Sequence, residues 1–182
     1  LIPKLVDTIS VSSKALYELC LKLGITKEKI SIIPVGVDLE KFNPHISGEM
    51  VRNQLNLKGK VILYLGQLHS GQYAEQFIYA AKEILEKIPE KEINFLIVGG
   101  DSKVIFTGPI PHEEVPYYIA SADVCVACFE DNRITRCKSP LKVVEYLASG
   151  KAIVASDVGE VREMLDRTGI LVKPGDIQAL RK

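Results

Sequence analysis

Two alternating periods run along the 182-residue chain. Short stretches such as KVILYL, NFLIV, VCVAC and AIVA are apolar almost throughout, the pattern of strands covered on both faces. Between them the apolar positions recur at helical spacing. The clearest case runs from Tyr73, where Ala74, Phe77, Ile78, Ala81, Ile84, Leu85 and Ile88 share one face. This reading predicts strands over 8–11, 31–33, 60–65, 94–98, 104–106, 124–128, 152–155 and 170–172, and helices over 13–23, 49–56, 73–88, 112–121, 139–149 and 160–165. Regular alternation of strand and helix predicts an α/β fold, a parallel sheet with helices on both faces. The stretch VGVDLEKFNPHISG is rich in turn formers and marks the boundary between an N-terminal appendage and the main unit.

The most informative segment is SPLKVVEYLASGKAIVASDV. Ser139 is placed to cap a helix, and Pro140 suits its first position because the missing N–H would be unpaired there. Leu141, Val144, Leu147 and Ala148 predict the buried stripe, and Gly150 a stop. Glu145 stands beside that stripe as the helix's one inward carboxylate. A helix opening from a loop is a ready anion site, so the segment can hold a phosphate and set Glu145 near a sugar hydroxyl.

Ligands of such sheets bind beyond the carboxyl ends of the strands. Gly66 and Gly71 frame a strand-to-helix loop and serve either the turn alone or the approach of a diphosphate. Gly99 and Gly100 end a strand and read equally as a tight turn. His69 is a solvated loop residue or a phosphate contact, and His45 and His112 read as surface residues. Asp157 reads as a turn former, Glu113 and Glu114 as complements to a helix dipole.

Composition narrows the field. Lys plus Arg equals Asp plus Glu at 23 each, so no global field points to nucleic acid or a membrane. No apolar run approaches the ~20 residues that span a bilayer. Of the four cysteines, Cys125 and Cys128 form a CxxC on an expected strand, where side chains three apart point to opposite faces. Buried free thiols in a reducing cytoplasm are the expectation.

Several segments, taken in order, resemble retaining glycosyltransferases of the GT-B fold, family 4, also called group 1. DTISVSSKALYELCLKLGITKEKISIIPVGVDLEKFNP is similar to the crossover from acceptor to donor domain, and VILYLGQLHSG to the first donor-domain strand with its Gly loop. INFLIVGG, VIFTGPIPHEEVPYYIASADVCVACFE, SPLKVVEYLASGKAIVASDV and TGILVKPGDIQAL follow in family order. The resemblance implies a Rossmann-like GT-B C-terminal domain. Residues 1–36 would end the acceptor domain, 37–59 form a linker and first helix, and 60–182 bind the donor. It implies a nucleotide-diphosphate sugar, UDP- or GDP-linked, a hexosyl group transferred with retention, and no metal or other cofactor. Its donor-binding positions fall on Gly66, Gln67, Gln72, Gly99, Gly108, Ile110, Cys137, Ser139, Pro140, Leu141, Lys142 and Glu145. Gly108 and Ile110 would lie against the base. Acceptor and catalytic groups are expected mainly in an absent N-terminal domain, which implies an isolated chain without transfer activity. The expected location is the cytoplasm, with any membrane surface reached through that domain.

The departures from the family pattern matter as much. Its first donor-site carboxylate falls on Cys137, and its phosphate-binding Arg and Lys fall on Gln67 and Gln72. Only Asp101, Ser102 and Lys103 stand where a helical insertion is usual. Lys142, with Arg133, Arg136 and Lys138, is the candidate replacement for the missing cations; the three loop cations read equally as a solvated basic loop. Two other readings stay open: a degenerate, non-catalytic nucleotide- or partner-binding domain, and a GT-B sugar-nucleotide epimerase.

Overall fold

A computed structural model describes residues 6–66, 74–99 and 105–181. Six parallel strands form the main sheet: β3 (Lys60–Leu65), β4 (Ile93–Val98), β5 (Ile105–Phe106), β6 (Val124–Ala127), β7 (Ala152–Ser156) and β8 (Ile170–Val172). Their spatial order is β5-β4-β3-β6-β7-β8. The chain therefore winds outward through β4 and β5, crosses back, and winds the other way through β6, β7 and β8. The reversal lies between β3 and β6, which is where such sheets open a ligand crevice. That junction pairs three residues, Ile62 with Val124, Leu63 with Cys125 and Tyr64 with Val126, against six along β3 and β4.

Two apolar layers clad the sheet. One is built on Leu63, Leu96, Cys125, Val143, Tyr146 and Ile153. The other is built on Tyr64, Phe77, Phe95, Ile97, Val126 and Cys128. Cys125 and Cys128 thus fall on opposite faces as free thiols, as the alternation of side chains along a strand requires. Burial pushes both thiols up to about 12.

The helix α3 (Ala74–Lys87) buries Ala74, Phe77 and Ala81 as expected, while Leu85 stays exposed. Ahead of the sheet, β1 (Ile9–Val11) and β2 (Ile30–Ile32) pair in parallel around α1 (Lys14–Lys22). Between them a single 3-10 turn covers Lys27–Lys29. The stretch from Val37 to Leu57, including α2 (Glu49–Gln54), lies on the first layer through Phe42, Val51 and Leu57.

Three local expectations are corrected. The helix expected from His112 is α4 (Val115–Ser121), because His112 and Pro111 form turns that feed the N–H groups of Val115 and Glu114. The helix expected from Ser139 is α6 (Leu141–Ala148); Pro140 stands at its cap and Ser139 makes no capping bond. Its buried face is Val143, Glu145 and Tyr146, not the stripe from Leu141, which is itself exposed. The short helices α5 (Arg133–Arg136) and α8 (Ile177–Leu180) were not expected. The helix α7 (Val161–Leu165) lies one residue inside its expected start.

Candidate functional site

The carboxyl edge of the sheet collects most of the candidate residues. Gly66 follows β3, Gly99 follows β4, and Gly108 and Ile110 follow β5. Cys137, Ser139, Pro140 and Leu141 lie between β6 and α6. Gln67 and Gln72, together with His69 and Gly71, lie outside the described residues. Gly108 has φ +69, a conformation that favours glycine, and open space lies where a Cβ would stand. Ile110 is partly buried against the first apolar layer.

Helix α6 is the centre of the site. Tyr146 is fully buried, and its hydroxyl accepts the Leu65 N–H at 3.0 Å, so α6 is tied to β3 one residue before Gly66. One residue back along α6, Glu145 is 3% exposed. Such a carboxylate is costly without a partner. The partner is His112, whose Nε2 lies 3.1 Å from Glu145 Oε1. The His112 ring is braced by Phe42, with centroids 5.7 Å apart. Among the described residues no donor reaches Glu145 Oε2. His112 is exposed, as read from sequence, and the structure adds that its ring reaches the buried Glu145, which only its position after a short edge strand hinted at.

Lys142 stands one helical turn before Glu145. Its ammonium lies 4.7 Å from the Tyr64 ring centroid and 5.3 Å from that of Phe129. Cation–π contacts of this kind contribute about 0.5–2 kcal/mol, more as water is excluded. Burial lowers the Lys142 ammonium to about 8, with Lys138 adding to the fall and Cys128 and Glu145 opposing it. It remains mostly charged at neutral pH and stands against a strand end next to the crevice.

The loop before α6 is built rather than loose. Asn132 Oδ1 accepts the N–H groups of Ile134 and Thr135, both at 2.9 Å, and Thr135 Oγ1 accepts the Asn132 N–H at 3.0 Å. Phe129 donates its N–H to the buried Ser156 hydroxyl at 3.0 Å. Gly159, at φ +56, lets the next loop close in; a Cβ there would stand 2.8 Å from the Arg136 carbonyl oxygen. Of the candidate cations, Arg136 is engaged by Asp131 through two contacts of 2.5 and 2.9 Å, while Arg133 and Lys138 are exposed. Asp157, read as a turn former, pairs with Arg162. The buried acid and half-buried cation on one helix can accept from hydroxyls and stabilise an anion within a single ligand.

The comparisons with known proteins point the same way. The family described as glycosyl transferases group 1 matches residues 59–182. D-inositol 3-phosphate glycosyltransferase of Corynebacterium urealyticum is 29% identical over 180 residues, covering 84% of this chain and 41% of that protein. Sucrose-phosphate synthase from Thermosynechococcus elongatus superposes with a TM-score of 0.74 at 27% identity, over 97% of this chain and 47% of its own. Anabaena HepE, solved in complex with UDP-glucose, gives a TM-score of 0.80 at 18% identity and so shares the fold, over 97% of this chain and 52% of its own. The chain spans less than half the length of the curated relatives it matches, with shares of 42%, 41% and 39% for three of them. On a match that takes in the whole sheet and every candidate position from Gly66 onward, the chain belongs to the group 1 glycosyl transferases.

Proposed function

We propose that the chain is the donor-binding half of a transferase that moves a hexosyl group, with retention, from a UDP- or GDP-linked sugar to an acceptor held by an N-terminal domain. The observation that carries this reading is the pairing on α6: buried Glu145, oriented by His112, one turn from Lys142. Glu145 Oε2 would accept ribose hydroxyls. Lys142 and the N–H groups at the start of α6 would take the charge that develops on the diphosphate as the bond from the anomeric carbon to the phosphate oxygen breaks. That division of labour needs no metal. Gly108 and Ile110 would border the base. The complex of HepE with UDP-glucose supports a nucleotide sugar as the ligand class on this fold. No helix among the described residues is long and apolar enough to cross a membrane.

A second reading, a domain that binds nucleotide without transferring, draws on Cys137. It stands where the family resemblance places a sugar-contacting carboxylate, and a half-buried thiol cannot replace one. The deciding experiment is calorimetric titration of the full-length protein with UDP, GDP and their hexose conjugates, followed by release of nucleoside diphosphate with candidate acceptors. Binding with turnover supports the transferase. Binding without turnover under any acceptor supports the second reading, and no binding at all defeats both.

A further inference from the structure

The N-terminus of α1 is fastened to the loops around the candidate site by two bonds that span more than a hundred residues of chain. Ser13 is fully buried. Its Oγ accepts the Leu16 N–H at 3.1 Å, as a helix cap does, and donates to the Cys137 carbonyl at 2.8 Å. One residue later the Lys14 N–H donates to Glu160 Oε1 at 2.9 Å. A carboxylate at a helix N-terminus is favourably placed against the helix dipole. The peptide unit joining Cys137 to Lys138 is held at both ends, since the Lys138 N–H donates to the Thr135 carbonyl at 3.1 Å. The same stretch is closed in from the other side by Gly159 against Arg136.

Fixing that peptide plane fixes the path of the chain through Ser139 and Pro140 into α6. Pro140 has no N–H, and the Val143 N–H is taken by the Pro140 carbonyl at 3.1 Å. Among the described residues the N–H groups of Ser139 and Leu141 have no acceptor, which leaves them available to an anion. A rotation of the 137–138 peptide would turn them away from it.

We infer that Ser13 is a positioning residue for the donor diphosphate: by gripping the Cys137 carbonyl it aims the start of α6, with Glu160 bracing the grip through Lys14. The inference rests on the donor-site reading above. It makes the N-terminal segment part of the binding machinery, although Ser13 would touch no ligand.

Capping and gripping can be separated chemically. Threonine keeps both the acceptor and the donor, whereas glycine caps nearly as well as serine but has no hydroxyl to donate. Full-length protein carrying Ser13→Thr should bind UDP as the wild type does. Ser13→Gly should weaken UDP about five- to tenfold in calorimetry, the scale of one lost hydrogen bond. It should also raise the KM for the donor with the KM for the acceptor unchanged. Wild-type UDP affinity in a folded Ser13→Gly variant would overturn the inference and leave Ser13 a plain helix cap. Should that variant fail to fold, Glu160→Ala loosens the same clamp from its other side; a wild-type UDP affinity there is equally fatal. A wild type that binds neither UDP nor GDP refutes the donor-site reading itself, a result distinct from a binding wild type with an indifferent variant.

Discussion

His112 Nε2 and Glu145 Oε1 meet at 3.1 Å across 33 positions of sequence, one on the loop after β5 and the other on α6. The contact joins the two wings of the sheet over the β3–β6 junction. It also leaves Glu145 Oε2 without a donor among the described residues.

Glu145→Gln keeps the shape of the side chain and removes its charge. The hydrogen bonds a ribose would make to a charged acceptor are worth about 1.5–3 kcal/mol, so UDP affinity should fall tenfold or more. The melting temperature should hold nearly constant. His112→Ala should weaken UDP by a smaller factor in the same direction, because the acceptor survives but loses its orientation. Calorimetry beside a thermal melt checks both, and a large stability loss in Glu145→Gln with unchanged affinity would make the pair structural.

Lys142→Ala should cost about 1.5–3 kcal/mol of diphosphate affinity, tenfold or more. The pH dependence has a definite sign. The ammonium sits near 8 in the unliganded protein, below its ordinary 10.5. A bound diphosphate favours the charged form and raises that value. Affinity should therefore be flat below about pH 8 and fall by up to tenfold per unit above it, with uptake of a proton on binding. UDP titrations at pH 7, 8, 9 and 10 measure this, and the slope should vanish in Lys142→Ala.

Tyr146→Phe removes the acceptor for the Leu65 N–H in a fully buried place. Leaving that donor unsatisfied should destabilise the protein by about 1–3 kcal/mol in denaturant unfolding. The loss should also loosen the link between α6 and the end of β3, so UDP affinity should drop as well.

Stability should fall above pH 9. Cys125 and Cys128 are raised from 9 to about 12, so the folded chain binds their protons more tightly than the unfolded chain. Their contribution is complete below about pH 9 and is lost as pH rises toward 12. Lys142 opposes them between about 8 and 10.5, because its lowered value makes the fold gain stability as it deprotonates, and Lys151, also lowered by burial, acts in the same direction. Tyr64, Tyr118 and Tyr146, raised by burial, side with the thiols at higher pH. Denaturant midpoints at pH 8 and 11 test the direction; replacing both thiols with alanine should reduce the fall and leave the part due to the buried tyrosines.

How much of this was legible in the sequence depended on which forces set each feature. Strand β3 is legible to its ends because the unbroken apolar run VILYL, entered from Lys60 and closed by Gly66, admits little else. Helix α3 was equally plain from its periodicity. Helix α6 and its inward carboxylate Glu145 are legible in the sequence, but the buried face centres on Val143 and Tyr146 and not on Leu141, because helical spacing alone does not say which side of a short apolar helix meets the sheet. Helix α5 is four residues long and exists through the Asn132–Thr135 capping box, a local exchange of hydrogen bonds with no hydrophobic period to announce it. The partnership of His112 and Glu145 was invisible for another reason. It depends on the strand order bringing the loop after β5 over α6, and no local pattern encodes that.

The junction of β3 and β6 has a mechanical consequence. It is the point where the two wings meet, and its ladder is half as long as the one beside it. A nucleotide lying across the crevice, with its base toward Gly108 and its phosphates toward Lys142, would touch both wings at once. Its binding energy would then act as a rivet across a ladder of three pairs. The force needed to part the two wings along this line should therefore rise with the concentration of UDP.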